Sequence, residues 1–325
     1  MTICVTGGAG YIGAHIVRLL ERAGHEVVVI DDLSYGDAKR VGQARLVQLD
    51  LADTNEIPRI TQALDGCTAV VHVAGRKQVG ESVERPAWYY QQNVGGMANL
   101  LLAMQSQGVD RLVFSSSAAV YGQPKAETVR EDIDLRPINP YGESKLVGEW
   151  LVRDAARAWG LRGVNMRYFN VAGAGWEDLG DPAVLNLIPM VLEKLYEHRP
   201  PAIFGDDYPT PDGTCVRDYI HVVDIATAHM IALDYLERDS RPFDSFNIGT
   251  GAGTSVRQVI DTLGEVTGLD TTPVIEPRRP GDPAVLIGDV DRIEQTFEWK
   301  AQHDLRSIID SSWRAWQAGP KRIER

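Results

Sequence analysis

Short, unbroken apolar runs recur through the first half of the chain, and between them apolar positions return at helical spacing. The runs are Cys4-Val5, Val27 to Ile30, Leu46-Val47, Val70 to Val73, Leu112 to Phe114 and Val164 to Tyr168. A strand that alternates apolar and polar residues keeps one face in water, whereas a run without alternation needs cover on both. Through about Asn170 the pattern therefore predicts an α/β fold, a Rossmann-type parallel sheet flanked by helices. Such sheets bind ligands beyond the carboxyl ends of their strands. Those ends carry Gly7, Asp31, Asp50, Ala74-Gly75, Ser115-Ser116-Ser117 and Asn170.

From about Val171 the texture changes. Gly173, Gly175, Gly180, Pro182 and Pro189 interrupt it, and helical stretches at Leu187 to Glu197, Asp224 to Leu236 and Val256 to Val266 alternate with short extended pieces. Val222 to Ile225 and Phe246 to Gly249 read as extended or helix-opening elements that return to the first unit. The expected division is a nucleotide-binding domain in 1–170, rejoined by segments near 218–250. A smaller, discontinuous α/β substrate domain in 171–325 would close one side of the cleft.

The first apolar run ends in Thr6-Gly7-Gly8-Ala9-Gly10-Tyr11-Ile12-Gly13. Gly7 can make a strand-to-helix turn, Gly10 leaves room for a pyrophosphate against the backbone, and Gly13 lets the next helix lie close to the sheet. The phosphates then sit at a helix N-terminus. A helix through Ala14 to Arg22, Gly24 as its stop, and a second buried strand ending in Asp31 complete the context; Asp31 would accept from ribose hydroxyls. The neighbouring Asp32 sets a like charge against a 2'-phosphate, which favours NAD over NADP.

Further on, Pro140-Tyr141-Gly142-Glu143-Ser144-Lys145 opens a helix with Tyr141 and Lys145 on one face. A phenol with its ordinary pKa of about 10 is a poor base at neutral pH. A cation one turn away, with a cationic nicotinamide nearby, would favour the phenolate. Ser115-Ser116-Ser117 follows a buried strand, and one of its hydroxyls beside the phenol would orient a substrate hydroxyl. Ser117 is preferred and Ser116 stays open; either could instead cap the turn.

Bulk composition narrows the classes further. A formal charge of -12 discourages nonspecific nucleic-acid binding. No apolar run is long enough to cross a bilayer, and the first strand starts too early to leave room for a signal peptide. Cys4, Cys67 and Cys215 are odd in number and widely spaced, which suits a reducing cytoplasm and gives no metal-ligand spacing.

Taken together and in order, several motifs resemble the UDP-glucose 4-epimerases of the extended short-chain dehydrogenase/reductase family. They are Thr6 to Gly13, Ala74 to Ser82, Ser115 to Gly122, Pro140 to Lys145, Arg167 to Asn170, Val216 to Val222 and Arg278 to Asp282. The likeness runs from Thr2 to about Trp316. It implies reversible C4 epimerisation of UDP-glucose and UDP-galactose through a transient 4-keto sugar, with tightly held NAD regenerated in each turnover. Catalysis would fall to Tyr141, Lys145 and Ser117. Around NAD it places Gly7, Gly10, Tyr11, Ile12, Gly13, Asp31, Asp50, Leu51, Val73, Ala74, Gly75, Lys77, Asn93, Ser115, Tyr141, Lys145 and Tyr168. A buried-side Lys77 ammonium would help to retain the cofactor. Around the UDP-hexose it places Ser117, Tyr141, Asn170, Asn186, Leu187, Phe204, Arg217, Arg279, Asp282 and Leu286. The arginines suit the diphosphate, Asp282 the uridine ribose, and Phe204 the base. It also implies a homodimer packed through the helices after Trp88 and Tyr141, whose apolar positions include Leu101, Leu102, Leu146, Val147, Trp150 and Leu151.

Two positions depart from the family pattern. Ala119 stands where related enzymes often carry threonine, which removes a secondary hydroxyl and leaves Ser117. Leu286 stands at a gate often held by tyrosine in enzymes restricted to glucose and galactose, so UDP-N-acetylhexosamines stay open as substrates. The alternatives are another NAD-dependent nucleotide-sugar enzyme, a 4,6-dehydratase or decarboxylase, and a non-catalytic NAD-binding regulatory protein. Dehydratases generally place an acidic pair after the serine strand, and Ser117-Ala118-Ala119-Val120 has none. Intact Tyr141 and Lys145 argue against a purely regulatory role.

Overall fold

A computed structural model describes residues 1–238, 243–279 and 281–319; Pro280 of the arginine-rich run and the end of the 171–325 stretch lie outside the described residues. The largest sheet has seven strands, in the order Phe243–Ile248, Arg162–Tyr168, Arg111–Ser117, Ala69–His72, Thr2–Thr6, Glu26–Asp31 and Arg45–Gln48. All its pairings are parallel. The reason lies in the strand residues: Cys4, Val5, Val29, Ile30, Val70 and Val71 are all buried, so helices must cover both faces. One face packs against Ile16, Leu20, Ile225 and Leu233, the other against Leu64, Met97, Leu100 and Met104.

The chain starts in the middle of this sheet. It builds outward from Thr2–Thr6 to Arg45–Gln48, then crosses to the opposite side of the first strand at Ala69–His72. That reversal opens a crevice between the carboxyl ends of two neighbouring strands, the place where such sheets take ligands. The edge strand Phe243–Ile248 arrives from far along the chain and pairs with Arg162–Tyr168.

A second sheet is centred on Val216–His221. It pairs in parallel with Asn170–Ala172 and Val285–Gly288, and antiparallel with Gly253–Ser255. Thr128–Val129, from the first half, joins its edge. Ala202–Phe204 pairs separately with Val274–Glu276, and Ile188, Leu192, Ile260, Leu263 and Ile309 form a core beneath. Among the described residues no helix is long and apolar enough to cross a membrane.

Candidate active site

A cavity of about 230 Å³ opens at the crevice. Its wall holds Gly7, Gly10, Tyr11, Ile12 and Gly13 from the first turn, Asp31, Asp50 and Leu51 from the next two strand ends, and Val73, Ala74, Gly75 and Lys77 beyond the fourth. Ser115, Tyr141, Lys145 and Tyr168 complete it. Gly7 has a φ of 72°, and a Cβ there would lie 2.7 Å from the Ala74 nitrogen. A Cβ on Gly13 would lie 2.1 Å from the Gly7 carbonyl oxygen. Only glycine therefore lets the turn pass beneath residues 73–75 and the helix Tyr11–Arg22 close against it. Gly10 is less constrained by the protein itself, and as N-cap it puts no side chain over the helix end. The first amides of that helix are left for a ligand, as a pyrophosphate requires.

Asp31 is buried. Its carboxylate accepts from the amides of Ala9 at 3.0 Å and Leu33 at 2.9 Å, which fixes it beside the glycine turn. Burial pushes its pKa up while those two amides pull it back. Cradle, uncapped helix and acid together fit a dinucleotide such as NAD.

The reactive end is built on the helix Pro140–Trp159. Asn139 caps it by accepting from the Gly142 amide at 2.9 Å, and Pro140 fills its first turn. A Cβ on Gly142 would lie 2.6 Å from the Ala119 carbonyl oxygen, so glycine here lets the helix start against the Ser117–Ala119 turn. That approach sets Ser117 beside Tyr141, where its hydroxyl pulls down the pKa of the phenol, while the same oxygen caps the turn by accepting from the Ala119 amide at 3.2 Å. Of the serines left open above, Ser116 is spent elsewhere: it donates to the buried Glu149 at 2.5 Å.

Lys145 is anchored to the neighbouring strand. Its ammonium donates to the Ser115 carbonyl at 2.8 Å, and burial lowers its pKa to about 8. Tyr141 is governed by other groups: burial raises its pKa, and the Ser117 hydroxyl only partly offsets this. The helical spacing sets both residues on one face, but the long lysine side chain reaches past the phenol to the strand. Lys145 alone thus does not make Tyr141 a phenolate.

Behind this end runs a directed chain of hydrogen bonds. The Nδ1 of His229 faces the Ile225 carbonyl at 2.8 Å, so it carries the proton and donates. Its Nε2 then accepts from the Tyr168 hydroxyl, whose oxygen accepts from Ser115 Oγ at 2.7 Å. Burial lowers the pKa of His229 to about 4 and that of His72 to about 3, with the Lys145 charge adding to the latter.

Of the other expected residues, Lys77 is in the wall without being buried, and the rest stand behind the wall or away from it. Asn93 sits behind it, accepting from the Arg76 amide at 2.7 Å and donating to Ser144 Oγ at 2.9 Å. Lys77, expected on a buried side, is exposed, with its ammonium 6.0 Å from the Tyr11 ring centroid. The substrate set does not line the cavity beyond Tyr141. Arg217 pairs with Asp282 at 3.6 Å, and the Arg279 guanidinium lies 3.8 Å from the Phe204 ring centroid. Leu286 is opposite Arg217 in strand register, half-buried against the cluster of Val120, Tyr121 and Phe169. Asn186 stands just before the helix Leu187–Tyr196 without capping it, and its side chain donates to Asp181 at 2.9 Å; Asn170 begins its own strand and is exposed.

Sequence reasoning missed Arg76, and it missed Asp181, Pro182, Ala183 and Leu185, which close the cavity from the second half. Asp32 was read as a bare negative charge, yet it pairs with Arg76 at 2.7 Å. The signal for that pairing was weak, since Arg76 only adjoins the more familiar-looking Lys77.

Fold and site define a Rossmann-type, dinucleotide-dependent enzyme with Tyr141 and Lys145 together in the cavity wall. Residues 3–249 match the NAD dependent epimerase/dehydratase family, and the chain belongs to it. It is 45% identical to the UDP-glucose 4-epimerase of Azospirillum brasilense, over 97% of this chain and 91% of that protein. Among solved structures, UDP-glucose 4-epimerase from Brucella ovis in complex with NAD superimposes with a TM-score of 0.90 at 39% identity, covering 96% of this chain and 97% of that one. The Bifidobacterium longum UDP-glucose 4-epimerase in complex with NAD+ and UDP gives 0.90 at 36% identity, covering 98% of each.

Proposed function

We propose that this chain is an NAD-dependent isomerase that interconverts UDP-glucose and UDP-galactose at C4. The observation that carries the reading is the Tyr141 phenol in the wall of the dinucleotide cavity with Ser117 beside it, in a chain whose full-length relatives are UDP-glucose 4-epimerases. NAD, when bound, supplies the redox step by taking the C4 hydride and giving it back. Tyr141 accepts the proton of the 4-hydroxyl and later returns it to the same oxygen, while Ser117 holds that oxygen in place. Burial opposes the phenolate, so positive charge from Lys145 and the cofactor together must favour it. The 4-keto sugar turns over in the pocket and receives hydride on its opposite face.

The nucleotide must be gripped while the hexose stays free to rotate. Arg217 and Arg279 suit the diphosphate, Asp282 the uridine ribose and Phe204 the base, with Asn170, Asn186 and Leu187 alongside. This assigns UDP-sugar binding mainly to 171–325 and NAD binding mainly to 1–170 with the returning segments near 218–250. Leu286 brings no hydroxyl to the gate, and UDP-N-acetylhexosamines enter on this reading. The helices Gly96–Gln107 and Pro140–Trp159 leave Leu102 and Trp150 exposed, which supports a homodimer through that side. Three buried, unpaired cysteines support a cytoplasmic setting.

The test is conversion of UDP-galactose to UDP-glucose by the purified chain with no cofactor added. A mass-neutral product is expected. A product lighter by one water, or none at all, would sink the proposal.

A further inference from the structure

The two ends of the cavity are marked by different residues. Tyr141 and Lys145 mark the reactive end, and Asp31, at the close of the second strand, marks the end that receives the adenosine ribose. At that second end the Arg76 guanidinium donates to Asp32 at 2.7 Å, to Gln92 Oε1 at 2.9 Å and to the Ser34 hydroxyl. Gln92 passes the link on by donating to Asp50 at 3.3 Å. All five side chains border the cavity, and they come from four separate segments.

Arg76 is firmly placed. Only 13% of its side chain is exposed, and its guanidinium lies 5.3 Å from the Tyr35 ring centroid and 5.1 Å from that of Trp88. Asn93 holds its backbone from both sides, accepting from the amide and donating to the carbonyl at 3.0 Å. An ordinary surface ion pair has none of this support and contributes little. A forked cation that joins two loops across a cavity instead fixes the width of that cavity.

We propose that Arg76, clasped by Asp32, Ser34 and Gln92, is a positioning residue that closes the adenosine end of the dinucleotide cavity and sets how long the cofactor stays. The proposal rests on the NAD reading and adds a retaining role for the neighbour of Lys77. Both residues border the cavity, and Arg76 braces the loops on either side of its adenosine end. The clasp leaves Tyr141, Ser117 and Lys145 untouched, so it acts on residence rather than on chemistry.

The experiment follows release of copurified NAD from the full chain into excess NADH, reading the fluorescence of the incoming nucleotide. Arg76→Leu is expected to release NAD about tenfold faster, the scale of a lost charge-assisted hydrogen-bonded group. Asp32→Asn, which opens the clasp from its other side, should accelerate release in the same sense, and the double variant should be no faster than Arg76→Leu alone. Competition separates the two ends: ADP-ribose should displace NADH less effectively from Arg76→Leu than from the wild type, while nicotinamide mononucleotide should compete equally well with both. Unchanged release in both single variants overturns the proposal. Faster release with nicotinamide mononucleotide affected and ADP-ribose unaffected also overturns it, because the residue would then act at the wrong end. A wild-type chain that binds neither NAD nor ADP-ribose overturns the cofactor reading, and the clasp with it.

Discussion

The cofactor end and the substrate end of this site are held in place differently. Around the dinucleotide the key groups are fixed by backbone: Asp31 by two amides, Lys145 by a strand carbonyl, the glycines by contacts that leave no room for a Cβ. At the proposed UDP-sugar site side chains hold one another: Arg217 faces Asp282, and Arg279 lies on Phe204. A cofactor retained between turnovers gains from a surface arranged in advance, because little ordering remains to oppose binding. On the proposed reading, a substrate that enters, turns and leaves would be met by side chains that exchange one partner for another.

Tyr141→Phe should break the reaction at the junction of the two ends. Loss of a proton-transferring group predicts a fall in kcat of roughly 10³-fold, with NAD content and fold unchanged. Near-normal turnover would reject the role given to Tyr141. Arg279→Ala tests the substrate end alone. Removing one guanidinium from a diphosphate should raise KM for UDP-galactose about tenfold, with NAD per chain unaltered by mass analysis. If NAD content falls in parallel, the two ends are not separate.

Acid should weaken both ends together. His72 and His229 are held neutral behind the cofactor end, with pKa values lowered to about 3 and about 4, and burial holds His15 and His221 at about 4 and about 3. The unfolded chain takes up these protons at about pH 6.5 and the folded chain does not, so stability is lost as pH falls below that value. The slope approaches about 1.4 kcal/mol per pH unit for each histidine until the folded pKa is reached. Equilibrium denaturation at pH 7, 6 and 5 measures it, and a flat profile would contradict the burial of these rings. The smallest effect is expected at the gate: Leu286→Tyr should depress turnover of UDP-N-acetylhexosamines a few-fold more than that of UDP-galactose. Equal effects on both would remove Leu286 from substrate selection.

Much of the cofactor end was legible because its determinants are local. Gly7 and Gly13 act within one turn, and Asp31 closes the strand that follows, so spacing alone carries the geometry. The substrate end was legible only as separate fragments. Arg217 and Leu286 meet through strand register, and Arg279 and Phe204 through packing of segments far apart in the chain. Where a side chain is long, local spacing leaves its end undetermined: Lys145 shares a helix face with Tyr141, and one of its three ammonium protons goes to the Ser115 carbonyl.

By itself, then, the order of residues determined the parallel sheet and the glycine cradle, because apolar periodicity and backbone sterics act over a few residues. Tertiary structure decided which of two adjacent cations, Arg76 or Lys77, is buried in the cavity wall, which of Ser116 and Ser117 lies beside Tyr141, and that Asn93 stands behind that wall. Those outcomes depend on which distant partner arrives at hydrogen-bonding distance, and that is set by the packing of the whole chain.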